Sequence, residues 1–434
     1  MNGKRNQSGI NGPINIYSEI DPLKKVLLFR PGPELNNLVP EYLDRLLFDD
    51  IPYLEVARQE HDAFAETLRK CGAQVVYLTD LIKASLTSPE IRQQFIYDFI
   101  VEAGIRGEKR TRMIYEYISS LSDEEMINMM IAGVRKSDIR DYSRKNLTDY
   151  LENDYPFLID PMPNLYFTRD PFACAGKGVS IHRMSTITRN RETLFSDYIF
   201  KYNPEYMNVP LWYHRSDNPV EPGHADYAGT NTISGSCDST IEGGDILILN
   251  STTIAVGISE RTQPYAIETY AKHILDPAAQ SGFKKVIAID IPKNRSFMHL
   301  DTVFTMVDCD KFTIHYQLSD HMSFFVLTMG DNGHLDIHEE SDDLRSMLMK
   351  HLELDDVTLI KCGGGHPVDA AREQWNDGSN TLAVAPGEVI VYSRNTATNR
   401  ILNDHGIKTH IIPSSELSRG RGGPRCMSMP LIRG

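Results

Sequence analysis

No stretch of the 434-residue sequence approaches the ~18 consecutive apolar residues that a membrane-crossing helix needs. The opening MNGKRNQSGINGP is polar and rich in Gly and Asn, without the apolar core of a secretion signal. Cysteine is sparse and scattered, at Cys71, Cys174, Cys237, Cys309, Cys362 and Cys426, with no CxxC pair. That excludes a dense disulfide framework and reads as reduced thiols in a cytoplasmic chain. Basic residues are outnumbered, 45 Lys and Arg against 59 Asp and Glu, and the net charge of −14 is not gathered into blocks. This argues against nucleic acid or an anionic membrane as partner. It serves solubility, and could weakly favour a cationic substrate.

What is present is an ordinary globular composition, 41% hydrophobic and 24% charged, enough for a sizeable core. Residues 1–13 read as a flexible tail. Strands are expected at Lys25–Phe29, Val75–Leu78, Leu165–Thr168, Ile246–Leu249, Thr253–Val256, Lys285–Ile291, Thr302–Val307, Val357–Ile360, Leu382–Ala385 and Val389–Tyr392. Glu55–Lys70 has helical spacing, with Val56, Phe64 and Leu68 on one face. Strand, helix, strand is an α/β signature. Residues 85–152 lose the strand signal and read as an inserted helical subdomain in a catalytic α/β body of 14–84 and 153–434. Within it, Ser88-Pro89 marks a helix start and Ser122–Glu125 fits a capping box before Met126, Ile127, Met130 and Ile131. Residues 214–240, rich in Gly, Pro, Ser and Thr, read as a long mobile loop. Three stretches, from Val179, Ile254 and Val389, each run from an apolar strand into a turn bearing Arg189, Arg261 or Arg394. They suggest a weakly repeated strand–helix module.

Four segments carry chemistry. In Phe167-Thr-Arg-Asp170-Pro171, Asp170 is either half of a surface ion pair or an acceptor for a cationic ligand. In Glu242-Gly-Gly-Asp245, two carboxylates flank glycines before an apolar strand, so the segment is a tight turn or a place where backbone and carboxylates approach a ligand. His299 and Asp301, two apart in an expected strand, would project to one face, the histidine suited to proton transfer. Near the end, Arg419-Gly-Arg421-Gly-Gly-Pro-Arg425-Cys426 sets one cysteine in an arginine-rich turn, whose positive charge would lower the thiol pKa. Cys362-Gly-Gly-Gly-His366 supplies two zinc-type ligands and no second pair, and no GK[ST] follows the glycines.

Together, Phe29-Arg-Pro-Gly, Leu46-Leu-Phe-Asp-Asp50, Pro163-Asn-Leu-Tyr-Phe-Thr-Arg-Asp170, Glu242-Gly-Gly-Asp245, Met298-His-Leu-Asp-Thr-Val-Phe304 and the Cys426 turn resemble the arginine deiminases along nearly the whole chain. The resemblance implies an α/β propeller of five ββαβ-type units about a pseudo-fivefold axis, with an inserted helical subdomain. It implies hydrolysis of L-arginine to L-citrulline and ammonia, with no cofactor and no metal. Cys426 would attack the guanidinium carbon, and His299 would protonate departing ammonia and then activate water. Asp170, Glu242 and Asp301 would clamp the guanidinium. Arg189 and Arg261 would hold the α-carboxylate, Asn164 and Phe167 the amino end and stem, with Leu38 and the Gly420 backbone as further contacts. A homo-oligomer is expected. The 214–240 loop is longer than the family pattern. An amidinotransferase, a deiminase of another guanidino compound, and a non-catalytic guanidino-binding protein are the rival readings.

Overall fold

A computed structural model describes residues 12–139, 155–217, 239–293, 297–315 and 322–434, together with Tyr142, Leu147, Tyr150 and Leu318. Five of its sheets repeat one connection: an antiparallel pair, a crossover through a helix, and a third strand parallel to the second. In the first, Leu23–Leu28 pairs with Met429–Arg433 antiparallel and, beyond helix Leu54–Lys70, with Gln74–Tyr77 in parallel. The second joins Phe172–Ala175, Gly178–Ile181 and Leu211–His214 around helix Ile187–Tyr202. The third joins Ile246–Asn250, Thr253–Ile258 and Lys285–Asp290 around helix Pro264–Ile274. The fourth joins Phe304–Met306, Lys311–Ile314 and Thr358–Lys361. The fifth joins Leu382–Ala385, Glu388–Tyr392 and Lys408–Ile412 around helix Thr396–Asp404.

The fourth crossover also throws out a hairpin, Ser323–Met329 with Leu335–Glu340, which extends the third sheet instead of its own. Middle strands are buried on both faces: Val26, Val179, Ile254, Phe312 and Ile390 are all solvent-inaccessible. A strand so placed needs apolar residues at every position, not alternate ones.

Between the first and second sheets stand helices Leu78–Ser85, Pro89–Glu102, Glu108–Ser119 and Asp123–Ala132. Ser88 caps the second of these by accepting from the Ile91 amide, and Ser122 and Glu125 form the expected capping box. Met126, Ile127, Met130 and Ile131 are buried core. Their packing is not private, because Phe95 rests on Phe195 and Tyr198 of helix Ile187–Tyr202.

Several expectations change. Leu165–Thr168 is no strand: Pro163–Tyr166 is a 3-10 turn, begun by the proline and closed by the Phe167 amide on the Asn164 carbonyl at 3.0 Å. Thr302–Val307 is split. Residues Leu300–Val303 form one helical turn, because Asp245 Oδ1 accepts from the Leu300 amide at 2.7 Å, and only Phe304–Met306 is extended. Val56 is half-buried. The buried face of its helix is Leu54, Ala57, Glu60, His61, Phe64, Ala65 and Leu68. Leu78 opens a helix that was not expected. Residues 1–11 of the expected tail, most of 140–154 and residues 218–238 of the expected loop lie outside the described residues.

Candidate active site

The Glu242-Gly-Gly-Asp245 segment is a tight turn, a 3-10 turn at Gly243–Asp245 leading into the strand Ile246–Asn250. A β-carbon at Gly244 would stand 2.7 Å from His299 Cγ, so only glycine lets the imidazole lie against this backbone. Glu242 Oε2 meets His299 Nε2 at 2.8 Å, and Asp170 Oδ1 lies 3.9 Å from His299 Nδ1. The other Glu242 oxygen accepts from the Ser185 amide and hydroxyl, both at 2.9 Å. Burial disfavours charge on His299, but Asp170 and the Glu242 hydrogen bond outweigh it and push its pKa up to about 9. Glu242, buried yet paired with His299 and near Arg261 and Arg189, is held well below the carboxylate range. The ground state is therefore imidazolium beside carboxylate at neutral pH.

Cys426 lines the same cavity as His299. Its amide donates to Asn380 Oδ1 at 3.0 Å, its carbonyl accepts from the Arg169 amide at 3.1 Å, and its Sγ stands 3.7 Å from Asp301 Oδ2. A β-carbon at Gly420 would fall 1.9 Å from Tyr166 Oη, so the glycine of this turn is required by the aromatic floor beneath it. Burial, then Asp301, Asp170 and Asp377, push the Cys426 thiol well above its ordinary pKa.

The expected lowering of the Cys426 pKa by neighbouring arginines is thus reversed. Arg425 is buried and spent as a strut, bonded to Asp301 Oδ2 at 2.7 Å and to Glu19 through two contacts of 3.1 Å. Arg419 pairs outward with Asp50, and Arg421 lies over the Trp375 ring at 3.7 Å.

Asn164, Phe167, Asp170, Arg189, Arg261, His299, Gly420 and Cys426 line one cavity of about 30 Å³. Glu242 and Asp301 are inaccessible and act from behind His299 and Cys426. Leu38 is core and does not reach the cavity; Leu47 does. The strand argument for His299 and Asp301 fails, since the helical turn begins between them. His299 lines the cavity, and Asp301 is buried beside Cys426.

Arg189 is placed unexpectedly. Its Nη1 bonds Asp170 Oδ2 at 2.8 Å and lies 3.9 Å from Glu242 Oε2, while Glu192 holds Nη2 at 2.8 Å. The carboxylates already hold a guanidinium, and it is the protein's own. Arg261 reaches Ser185 Oγ at 3.2 Å and Met298 Sδ at 3.7 Å. Asn164 Nδ2 donates to the Leu46 carbonyl at 2.7 Å.

Asp170, Glu242 and His299 offer ligand atoms within 4.8 Å of one another, a possible metal triplet. Any metal there would have to displace the Arg189 guanidinium and the His299 proton. Cys362 bonds Thr398 Oγ1 at 3.3 Å, and the zinc-type pair with His366 gains no further ligand among the described residues. Glu19, Asp245, Asn380 and Ser185 were not expected in the site. Only Asp245 left a trace, in its motif, because the others act on partners far off in sequence.

A family model described as arginine deiminase matches residues 44–433. The chain is 52% identical over 426 residues to the arginine deiminase of Clostridium perfringens, covering 97% of this chain and 98% of that one. It is 52% identical over 425 residues to the arginine deiminase of Streptococcus gordonii, with the same coverage of each chain. In fold it resembles SxtG, an amidinotransferase from Microseira wollei, with a TM-score of 0.54 at 15% identity over 97% of each chain. It also resembles the inosamine-phosphate amidinotransferase StrB1 from Streptomyces griseus, with a TM-score of 0.50 at 13% identity over 98% of this chain and 97% of that one. No helix among the described residues is long and apolar enough to cross a membrane.

Proposed function

The chain belongs to the arginine deiminase family, and from that premise we propose that it hydrolyses L-arginine to L-citrulline and ammonia, with Cys426 as nucleophile and His299 as proton carrier. The observation that carries the reading is the internal guanidinium: Asp170 accepts from Arg189 at 2.8 Å beside Glu242, in the cavity that Cys426 lines. Carboxylates that already grip one guanidinium have the acceptor geometry for another.

Substrate arginine takes the place of the Arg189 guanidinium between Asp170 and Glu242 and presents its carbon to Sγ. Its positive charge offsets the carboxylates that keep the thiol protonated, so the thiol releases its proton to solvent and the thiolate forms only when substrate is there. Attack gives a tetrahedral centre. His299, charged in the resting state, hands a proton to the departing ammonia and leaves an S-alkylthiouronium. Neutral His299 then takes a proton from water attacking the same carbon, and the C–S bond breaks as the new hydroxyl passes its proton to the departing thiolate, releasing citrulline. Arg189, freed from Asp170, and Arg261 are the cations for the substrate α-carboxylate, and Asn164 and Phe167 line the stem. An α-carboxylate site favours arginine over agmatine. Five sheets with one repeated connection support a pseudo-fivefold propeller, and the helices of residues 85–152 support an inserted subdomain.

Purified protein incubated with L-arginine should release citrulline and ammonia in equal amounts, unchanged by a chelator. Ornithine without ammonia would favour an amidinotransferase, and loss of turnover on chelation would revive the metal triplet.

A further inference from the structure

We propose that Glu60 is a positioning residue that pins the base of the Cys426-bearing turn, so that the thiol keeps its place while the outer turn opens for substrate. The inference rests on the arginine deiminase reading of Cys426. Glu60 lies on the buried face of helix Leu54–Lys70, among Ala57 and Phe64, and is 3% exposed. A carboxylate there is costly unless hydrogen bonds satisfy it. Glu60 accepts four, all from one short segment. Oε1 takes the Ser415 amide at 2.5 Å and the Ser415 hydroxyl at 2.7 Å. Oε2 takes the Glu416 amide at 3.0 Å and the Leu417 amide at 2.9 Å.

That segment leads straight into the 3-10 turn Leu417–Gly420, which carries Gly420 and Arg421 to the cavity wall and runs on to Cys426. Contacts farther out are of another kind. Arg419 with Asp50 is an exposed rim pair, which binds weakly, and Arg421, buried over Trp375, reaches the partly exposed Asp49 only at 3.5 Å. Arg421 has φ of +61°, in the left-handed region, where a non-glycine backbone stores strain.

The cavity is small, about 30 Å³, and the Arg189 guanidinium already fills the place beside Asp170 and Glu242. Arginine enters only if this wall moves. The rim pair and the strained Arg421 are the contacts to give way. Four bonds to one buried carboxylate are the contacts that stay, and they place the hinge after Leu417.

Glu60→Gln keeps the shape but offers an amide N–H₂ to backbone donors. It should lower kcat by about tenfold or more, approaching the ~100-fold that a ~1 Å displacement of a reacting group can cost, while KM changes less than about threefold. Alkylation of Cys426 by iodoacetamide without arginine should speed up, and amide exchange at Ser415–Leu417 should rise. Glu60→Asp, which keeps the charge, should restore part of each. Ser415→Ala removes only the hydroxyl bond, should shift all three readouts the same way by less, and carries the test if Glu60→Gln does not fold. Parental kcat, alkylation and exchange in both variants, or a loss of stability with alkylation unchanged, would overturn the proposal. If the parent makes no citrulline, the family reading fails, while alkylation and exchange still decide the clamp.

Discussion

At the scale of single residues, the site is a balance of buried charges that substrate completes. Cys426 faces Asp301, and His299 faces Glu242, so the resting protein holds a neutral thiol and a charged imidazole. This has a consequence for stability. His299 is raised to about 9 in the folded chain, against an ordinary value near 6.5. Its contribution is complete below ~6.5, fades as pH rises, and is gone above about 9. Glu242 is lowered, so its contribution is present above the ordinary carboxylate range and lost on acidification. The difference in Tm between parent and His299→Asn should therefore shrink as pH climbs from 6.5 towards 9, as read in a pH series of thermal melts. A difference that grew across this interval would reverse the protonation assignment. Residue types announced this chemistry. The second thought, that arginines beside Cys426 would acidify it, did not survive, because Arg425 is consumed by Asp301 and Glu19.

Secondary-structure elements were legible where one local pattern decides them. Ser122–Glu125 reads as a capping box and is one, and the middle strands of the third and fifth sheets follow from their continuous apolar runs, whereas Lys311–Ile314, opened by a lysine and only four residues long, is missed. Replacing Ser122 by Ala should cost about 1 kcal/mol of stability, the usual worth of such a cap, and leave kcat and KM untouched. Denaturant melts beside turnover assays check this, and a change in turnover would tie that helix to the site. The failures have one cause. Leu165–Thr168 and Thr302–Val307 read as strands from apolar content, yet a proline and a long-range carboxylate, Asp245, wind Pro163–Tyr166 and Leu300–Val303 into helical turns. Nothing near His299 in sequence discloses Asp245. Edge strands such as Leu335–Glu340, half exposed and highly charged, carry too little apolar content to be recognised.

Over the whole molecule, the site is assembled from segments that sequence keeps far apart. Glu19, Asp170, Glu242, His299, Asn380 and Cys426 come from loops at the ends of different strands, and long-range hydrogen bonds fix them. The family likeness was legible because its motifs keep their order along the chain. The small cavity, the Arg189 guanidinium on Asp170 and the Glu60 clamp were not, since each joins residues that no single motif contains. All three converge on one claim: Cys426 takes the guanidino carbon of arginine into a covalent bond. Acid-quenched mixing with L-arginine, followed by mass spectrometry of the Cys426 peptide, tests it most directly. The account predicts a transient adduct of arginine less ammonia on Cys426, absent from Cys426→Ala. Turnover with no adduct at any time, or the same adduct on another residue, would contradict it.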